Sequence, residues 1–173
     1  MSTPLYDLSV ANYLQTVAAI AGCLDKGLAF CTSKNIDAGD LTESRLISDM
    51  LPLRFQVVSV AHHSLGTIEG LKKGVFAPPS QTEPLDYRGL QKLLADTLQG
   101  LQRLSPDEVN ALAGREVVFR FRDRQIPFTA ENFVLSFSLP NFYFHATTAY
   151  DLLRAKGVPL AKRDFLGQLR IKS

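Results

Sequence analysis

Asn141 and His145 stand four residues apart in "LPNFYFHATTAY", residues 139–150, and Ser138 and Thr148 continue the spacing on either side. Residues three and four apart on a helix share a face. At about 100° per residue, Ser138 and Asn141 fall within about 40° of His145, and Thr148 lies about 60° off. That arc is otherwise apolar, made by Val134, Phe142, Ala149 and Leu152. A neutral imidazole in such a seam can take a proton, accept a hydrogen bond or ligate a metal. A polar group buried with no partner costs roughly 1–3 kcal/mol, so four in a row require partners. Three arrangements supply them. One is a hydrogen-bond network that ties helices together. Another is a ligand-binding cleft between helices, where bundle sites usually lie. The third is a metal held by His145 with Asn141 or with residues of another helix.

The other two histidines, His62 and His63, flank the apolar stripe of a second predicted helix. His62 lies beside the Leu51 and Val58 edge. His63 falls on the opposite flank, in line with Asp49 and Gln56 at seven-residue steps. Adjacent helical positions diverge by about 100°, so the two rings do not readily share one ion. No Cys or His spacing matches a zinc motif, and there is no Gly-rich phosphate loop or nucleophile elbow. Cys23 and Cys31 are eight apart on one predicted helix, about 12 Å along its axis and too far for a disulfide. They are expected to be small buried apolar residues in a reducing compartment.

The elements that must position these residues follow from hydrophobic period. Tyr6, Val10, Tyr13, Val17, Ile20, Leu24 and Leu28 predict a helix from 5 to about 32. Leu46, Met50, Leu53, Val57, Val60, Ile68 and Leu71 predict a second from about Thr42 to Lys73, with Thr42 or Ser44 as its cap and Pro52 either kinking it or dividing a short lead-in turn from its main body. Leu90, Leu94, Leu98 and Leu101 mark a third over 87–104. "SPDEVNALAG" carries N-cap chemistry for a short helix. "REVVFRFR", "DRQ" and "IPFT" predict a small β-hairpin over 115–129. The last long helix runs from Thr129 to Gly157, bent at Pro140. The fold expected is all-α: one domain, residues 1–173, a four-helix bundle with a small β-hairpin before the last long helix.

Composition excludes little beyond this. The 173 residues are 46% hydrophobic and 21% charged, ordinary for one globular domain. A net charge of +2 gives no nucleic-acid footprint. No transmembrane run and no secretory signal are read from the sequence, so the chain is expected in the cytoplasm without a membrane partner. The basic tail, 158–173, is expected to be solvated, with Phe165 and Leu166 packed on the body.

The stretch "LPNFYFHATTAYDLLRAKGV" followed by "KRDFLG", together with "SDMLPLRFQV" and "LDKG", resembles the bacterial domain-of-unknown-function family one-nine-nine-three, within the DinB/YfiT-like four-helix proteins. The resemblance runs over almost the whole chain. It implies a helical bundle, a homodimer, and in many relatives a divalent metal held by one His of the second helix and an H-x-x-x-H pair of the last. Some relatives are thiol-dependent transferases or isomerases. Asn141 stands where the first His of that pair would be, so the implied ligands here are His145 and His62, with zinc, nickel or manganese as the metal. The function expected is binding of a small molecule in a polar inter-helix cleft lined by Asn141, His145, Thr148 and His62. The alternative is a non-catalytic protein whose inward polar residues fix helix packing. The sequence leaves open whether the chain is an enzyme.

Overall fold

The computed structural model describes residues 3–79 and 84–172. A turn of helix, α1 (Leu5–Leu8), passes through Ser9 into α2 (Val10–Lys34). The Ser9 hydroxyl returns to the Leu5 carbonyl and satisfies the break locally. Val10, Tyr13, Val17, Ile20 and Leu24 are fully buried, as their spacing of three and four requires. By length and composition Leu5–Lys34 is long and apolar enough to cross a membrane, which corrects the sequence expectation that no such run exists. In this fold that apolar surface meets the other helices.

Next come α3 (Ala38–Thr42), α4 (Leu53–His62), α5 (Leu65–Lys73), β1 (Val75–Phe76), α6 (Tyr87–Gln102) and α7 (Pro106–Asn110). The chain then forms β2 (Glu116–Phe121), β3 (Arg124–Thr129), α8 (Ala130–Phe133), a π-helical segment (Val134–Ser138), α9 (Leu139–Ala155) and α10 (Lys162–Leu166). Four helical runs carry the core: α2, α4 with α5, α6, and α8 through α9. α2 packs on α6 and α9, and α4 packs on the same two. The "LDKG" glycine explains one of these contacts. A Cβ on Gly27 would stand 2.2 Å from Tyr87 Oη. The bare backbone lets that hydroxyl donate to the Leu24 carbonyl at 2.9 Å.

The second run is not the single helix expected over 42–73. Thr42 ends α3, whose cap is the Asp37 carboxylate on the Gly39 N–H. Pro52 is extended, with ψ 172°, and α4 starts after it. The chain breaks again at Ser64, φ −111° and ψ −88°, before α5. Pro140 removes an N–H and its ring crowds the Ser136 carbonyl, and the wider π turn falls just ahead of it in the last run.

The expected hairpin is present as β2 and β3, antiparallel from Glu116 opposite Thr129 to Phe121 opposite Arg124. It belongs to a three-stranded sheet, however, ordered β1-β2-β3 with β1 parallel to β2. Two residues beside a Pro-rich loop are too few for a period to register. The Val118 N–H turns to the Gly74 carbonyl at 3.0 Å. Pro127, opposite Val118, therefore aims its backbone away from β2, where a missing N–H breaks no ladder bond. The tail is docked on α2: Lys26 pairs with Asp164 at 2.6 Å, and Gln15 donates to the Leu166 carbonyl at 2.8 Å.

Candidate functional site: an imidazole pair between the second and last helical runs

α4 and α9 lie side by side, and their facing surfaces are not wholly apolar. Gln56, Ser59 and His63 are buried on the α4 side. Ser138 and Thr148 are buried on the other, with Asn141 and His145 half-buried between them. The expected polar seam exists, and the structure assigns each member a partner.

Ser138 is at the centre of a buried network. Its hydroxyl lies 2.8 Å from Tyr13 Oη and 2.7 Å from Thr67 Oγ1, and it donates to the His63 carbonyl at 2.8 Å. Thr67 Oγ1 also reaches that carbonyl, at 3.1 Å. The reason is the break at Ser64. There the Thr67 N–H turns to the Ser64 carbonyl, and hydroxyls serve the His63 carbonyl. Burial raises the Tyr13 pKa, so the phenol stays protonated and is the donor to Ser138. Asn141 Nδ2 donates to the Phe137 carbonyl at 2.7 Å, and Thr148 Oγ1 to the Phe144 carbonyl at 2.7 Å. Both bonds stay within the last helical run.

His145 differs. Its Nδ1 lies 2.8 Å from Gln56 Oε1. Gln56 Nε2 donates to the Leu51 carbonyl at 2.8 Å, which turns the amide oxygen toward the ring. An amide oxygen only accepts, so Nδ1 carries the proton and Nε2 the lone pair. Burial lowers the His145 pKa to about 4, so the ring is neutral at pH 7. Phe55 and Phe144 meet it edge-on, at 5.8 and 5.3 Å between centroids.

The ring facing His145 is that of His63, with centroids 5.8 Å apart and planes 17° from parallel. His63 is 8% exposed, and its Nδ1 is buried with no hydrogen-bond partner among the described residues. Burial, then the neighbouring His62 and His145, lower its pKa to about 3. His62, expected beside His145, turns the other way. Its Nε2 lies 2.8 Å from the Ala77 carbonyl, and its ring lies against Phe76, centroids 4.4 Å apart and planes tilted by 35°. The divergence of about 100° between adjacent helical positions holds here, and His63 follows Gln56 inward at a seven-residue step. α4 ends at His62, and His63 closes it with its ring toward α9. The available signal was the seven-residue alignment of Gln56 with His63, which marks the inward polar line of α4.

The donors do not make the implied metal site. The His145–His62 pair is not brought together. Among the described residues no group of three or more His, Cys, Asp or Glu could hold an ion. Two imidazoles fall one short of the three protein ligands of a catalytic zinc site. What the arrangement can do is accept a hydrogen bond at a tautomerically fixed Nε2, beside a second neutral imidazole and an aromatic wall.

Comparison with known proteins places this geometry. The crystal structure of a DinB family member protein from Shewanella denitrificans superposes with a TM-score of 0.84 at 28% identity, over 98% of this chain and 95% of that one. No curated protein matches the chain. The family described as a domain of unknown function, DUF1993, matches residues 5–166. The chain thus belongs to the DUF1993 family, in a predominantly helical fold shared with a DinB family member.

Proposed function

We propose that this protein binds a small molecule in the cleft between the second and last runs of a DinB-like four-helix bundle, at the His63–His145 pair. One observation carries the reading: Gln56 fixes the His145 tautomer and leaves Nε2 as an acceptor, while the buried His63 Nδ1 across from it lacks a partner among the described residues. An unsatisfied buried polar atom is costly, and a ligand that pairs with it removes that cost. Ser138, Asn141 and Thr148 are spent within the protein, so the ligand-binding role narrows from the expected set to the imidazoles. With a pKa of about 4, His145 is a weak base at neutral pH, and this favours hydrogen-bonded binding over proton abstraction. The donor set, among the described residues, does not fit a divalent ion.

The Tyr13–Ser138–Thr67 network favours a second reading, in which the polar residues serve packing alone. A fragment screen that follows the imidazole resonances separates the two. Under the binding proposal, hits move both His63 and His145. A broad fragment set that leaves both rings unmoved removes the support for a ligand site. A cytoplasmic homodimer without a nucleic-acid partner belongs to the same proposal, supported by the family resemblance and by two free, buried cysteines that suit a reducing compartment.

A further inference from the structure

His62 and His63 part at the end of α4, and the outward ring has its own surroundings. A groove of about 590 Å³ lies between α4, α5 and α6, within the roughly 300–1,000 Å³ usual for small-molecule sites. Its wall is apolar, built by Val58, Ala61, Leu65, Leu85 and Leu93. Thr97 also lines it, but its hydroxyl donates to the Leu93 carbonyl at 2.7 Å. Among the described residues, His62 and Glu69 remain as the polar groups facing a ligand.

The His62 tautomer is fixed by the same logic as that of His145. The Ala77 carbonyl only accepts, so Nε2 carries the proton and Nδ1 the lone pair. Burial outweighs the opposing pull of Glu69 and lowers the His62 pKa, which leaves the ring neutral at pH 7. Gly66 lies against that nitrogen. A Cβ there would sit 3.3 Å from His62 Nδ1, so the glycine keeps the space before the lone pair open. Glu69, exposed one helical turn beyond Leu65, is in no ion pair among the described residues. An acceptor nitrogen and a carboxylate at the edge of an apolar groove complement one ligand chemistry.

We propose that this groove is a second small-molecule site, separate from the His63–His145 cleft, and that it takes an apolar primary ammonium. The hydrocarbon lies along Val58, Leu65 and Leu93, one N–H reaches His62 Nδ1, and the charge faces Glu69.

Titrating the full chain with phenethylamine, and with phenethyl alcohol as its uncharged counterpart, tests this by calorimetry and amide NMR. The amine is expected to bind saturably, one per chain, with shifts at Gly66 and Thr97. The alcohol binds roughly fivefold more weakly, or less tightly still. Glu69→Gln, at an exposed position, weakens the amine by about fivefold and leaves the alcohol unchanged. Val58→Trp fills the groove and abolishes both. Absence of saturable amine binding overturns the proposal. So does equal affinity for the two probes, or amine binding indifferent to Glu69→Gln. Shifts at His63 and His145 in place of Gly66 also overturn it, and leave the cleft reading standing.

Discussion

Gln56 holds His145 by a hydrogen bond across 89 residues of sequence, Oε1 to Nδ1 at 2.8 Å, and is itself held by the Leu51 carbonyl. Two links in series thus decide which nitrogen of His145 carries the proton. Long-range nitrogen NMR is expected to show a protonated Nδ1 and an unprotonated Nε2. Gln56→Leu leaves a buried N–H unpaired, costs about 1–3 kcal/mol in urea unfolding, and releases the tautomer. The opposite tautomer in the unsubstituted protein would contradict the assignment.

Low pH should destabilise the fold earlier than carboxylates alone require. His63 and His145 have folded pKa values of about 3 and 4 against an unfolded value of 6.5. Between those limits the unfolded chain binds more protons, so their stabilisation is complete above pH 6.5 and falls as the pH drops. Each ring contributes a slope of about 1.4 kcal/mol per pH unit. Glu108 and Asp164, whose pKa values are lowered chiefly by their lysine partners, add their own loss as the pH falls through and below the ordinary carboxylate values. Urea stability from pH 7 to 4.5 therefore reads the imidazoles. His62, whose pKa burial also lowers, adds to the slope just below pH 6.5, so the slope should flatten by about a third to a half in His145→Phe. An unchanged slope would show that His145 titrates normally.

Ser138→Ala should cost more than Tyr13→Phe. Removing the serine hydroxyl strands the Tyr13 phenol and takes one donor from the His63 carbonyl. Removing the phenol leaves the Ser138–Thr67–His63 links standing. Expected losses are about 2–3 kcal/mol for the first and about 1 kcal/mol for the second. The reverse order in thermal or chemical unfolding would break this account of the helix break at Ser64.

Gly27→Ala should destabilise by about 1–3 kcal/mol, because the new Cβ overlaps Tyr87 Oη. Tyr87→Phe in the same chain removes the overlapping atom and should recover part of the loss. A neutral Gly27→Ala would mean that α2 and α6 can slide apart without cost.

Helices were legible where one period ran unbroken. The stripes of α2 and α6 fall where Val10, Tyr13, Val17 and Ile20, and Leu90, Leu94 and Leu101, place them. The seam from Ser138 to Thr148 was legible for the same reason. What escaped was set by local backbone events with weak sequence signatures. Ser64 breaks the second run without a side-chain cap, so two helices stand where one period predicts one. The family resemblance points to His62 over His63, although the period of α4 puts His63 in line with Gln56. Gln56 read as a flank residue because its partners, Leu51 and His145, lie outside any single helical period. β1 was lost because two residues carry no alternation.

Pro127 has a consequence for company outside the chain. The outer rim of β3 offers a newcomer strand no amide proton at its midpoint, since proline has none and the neighbouring ladder leaves that position facing outward. An approaching strand would meet an interrupted row of donors. The three-stranded patch therefore resists growing by accretion, even with Ile126 and Phe121 bare beside it.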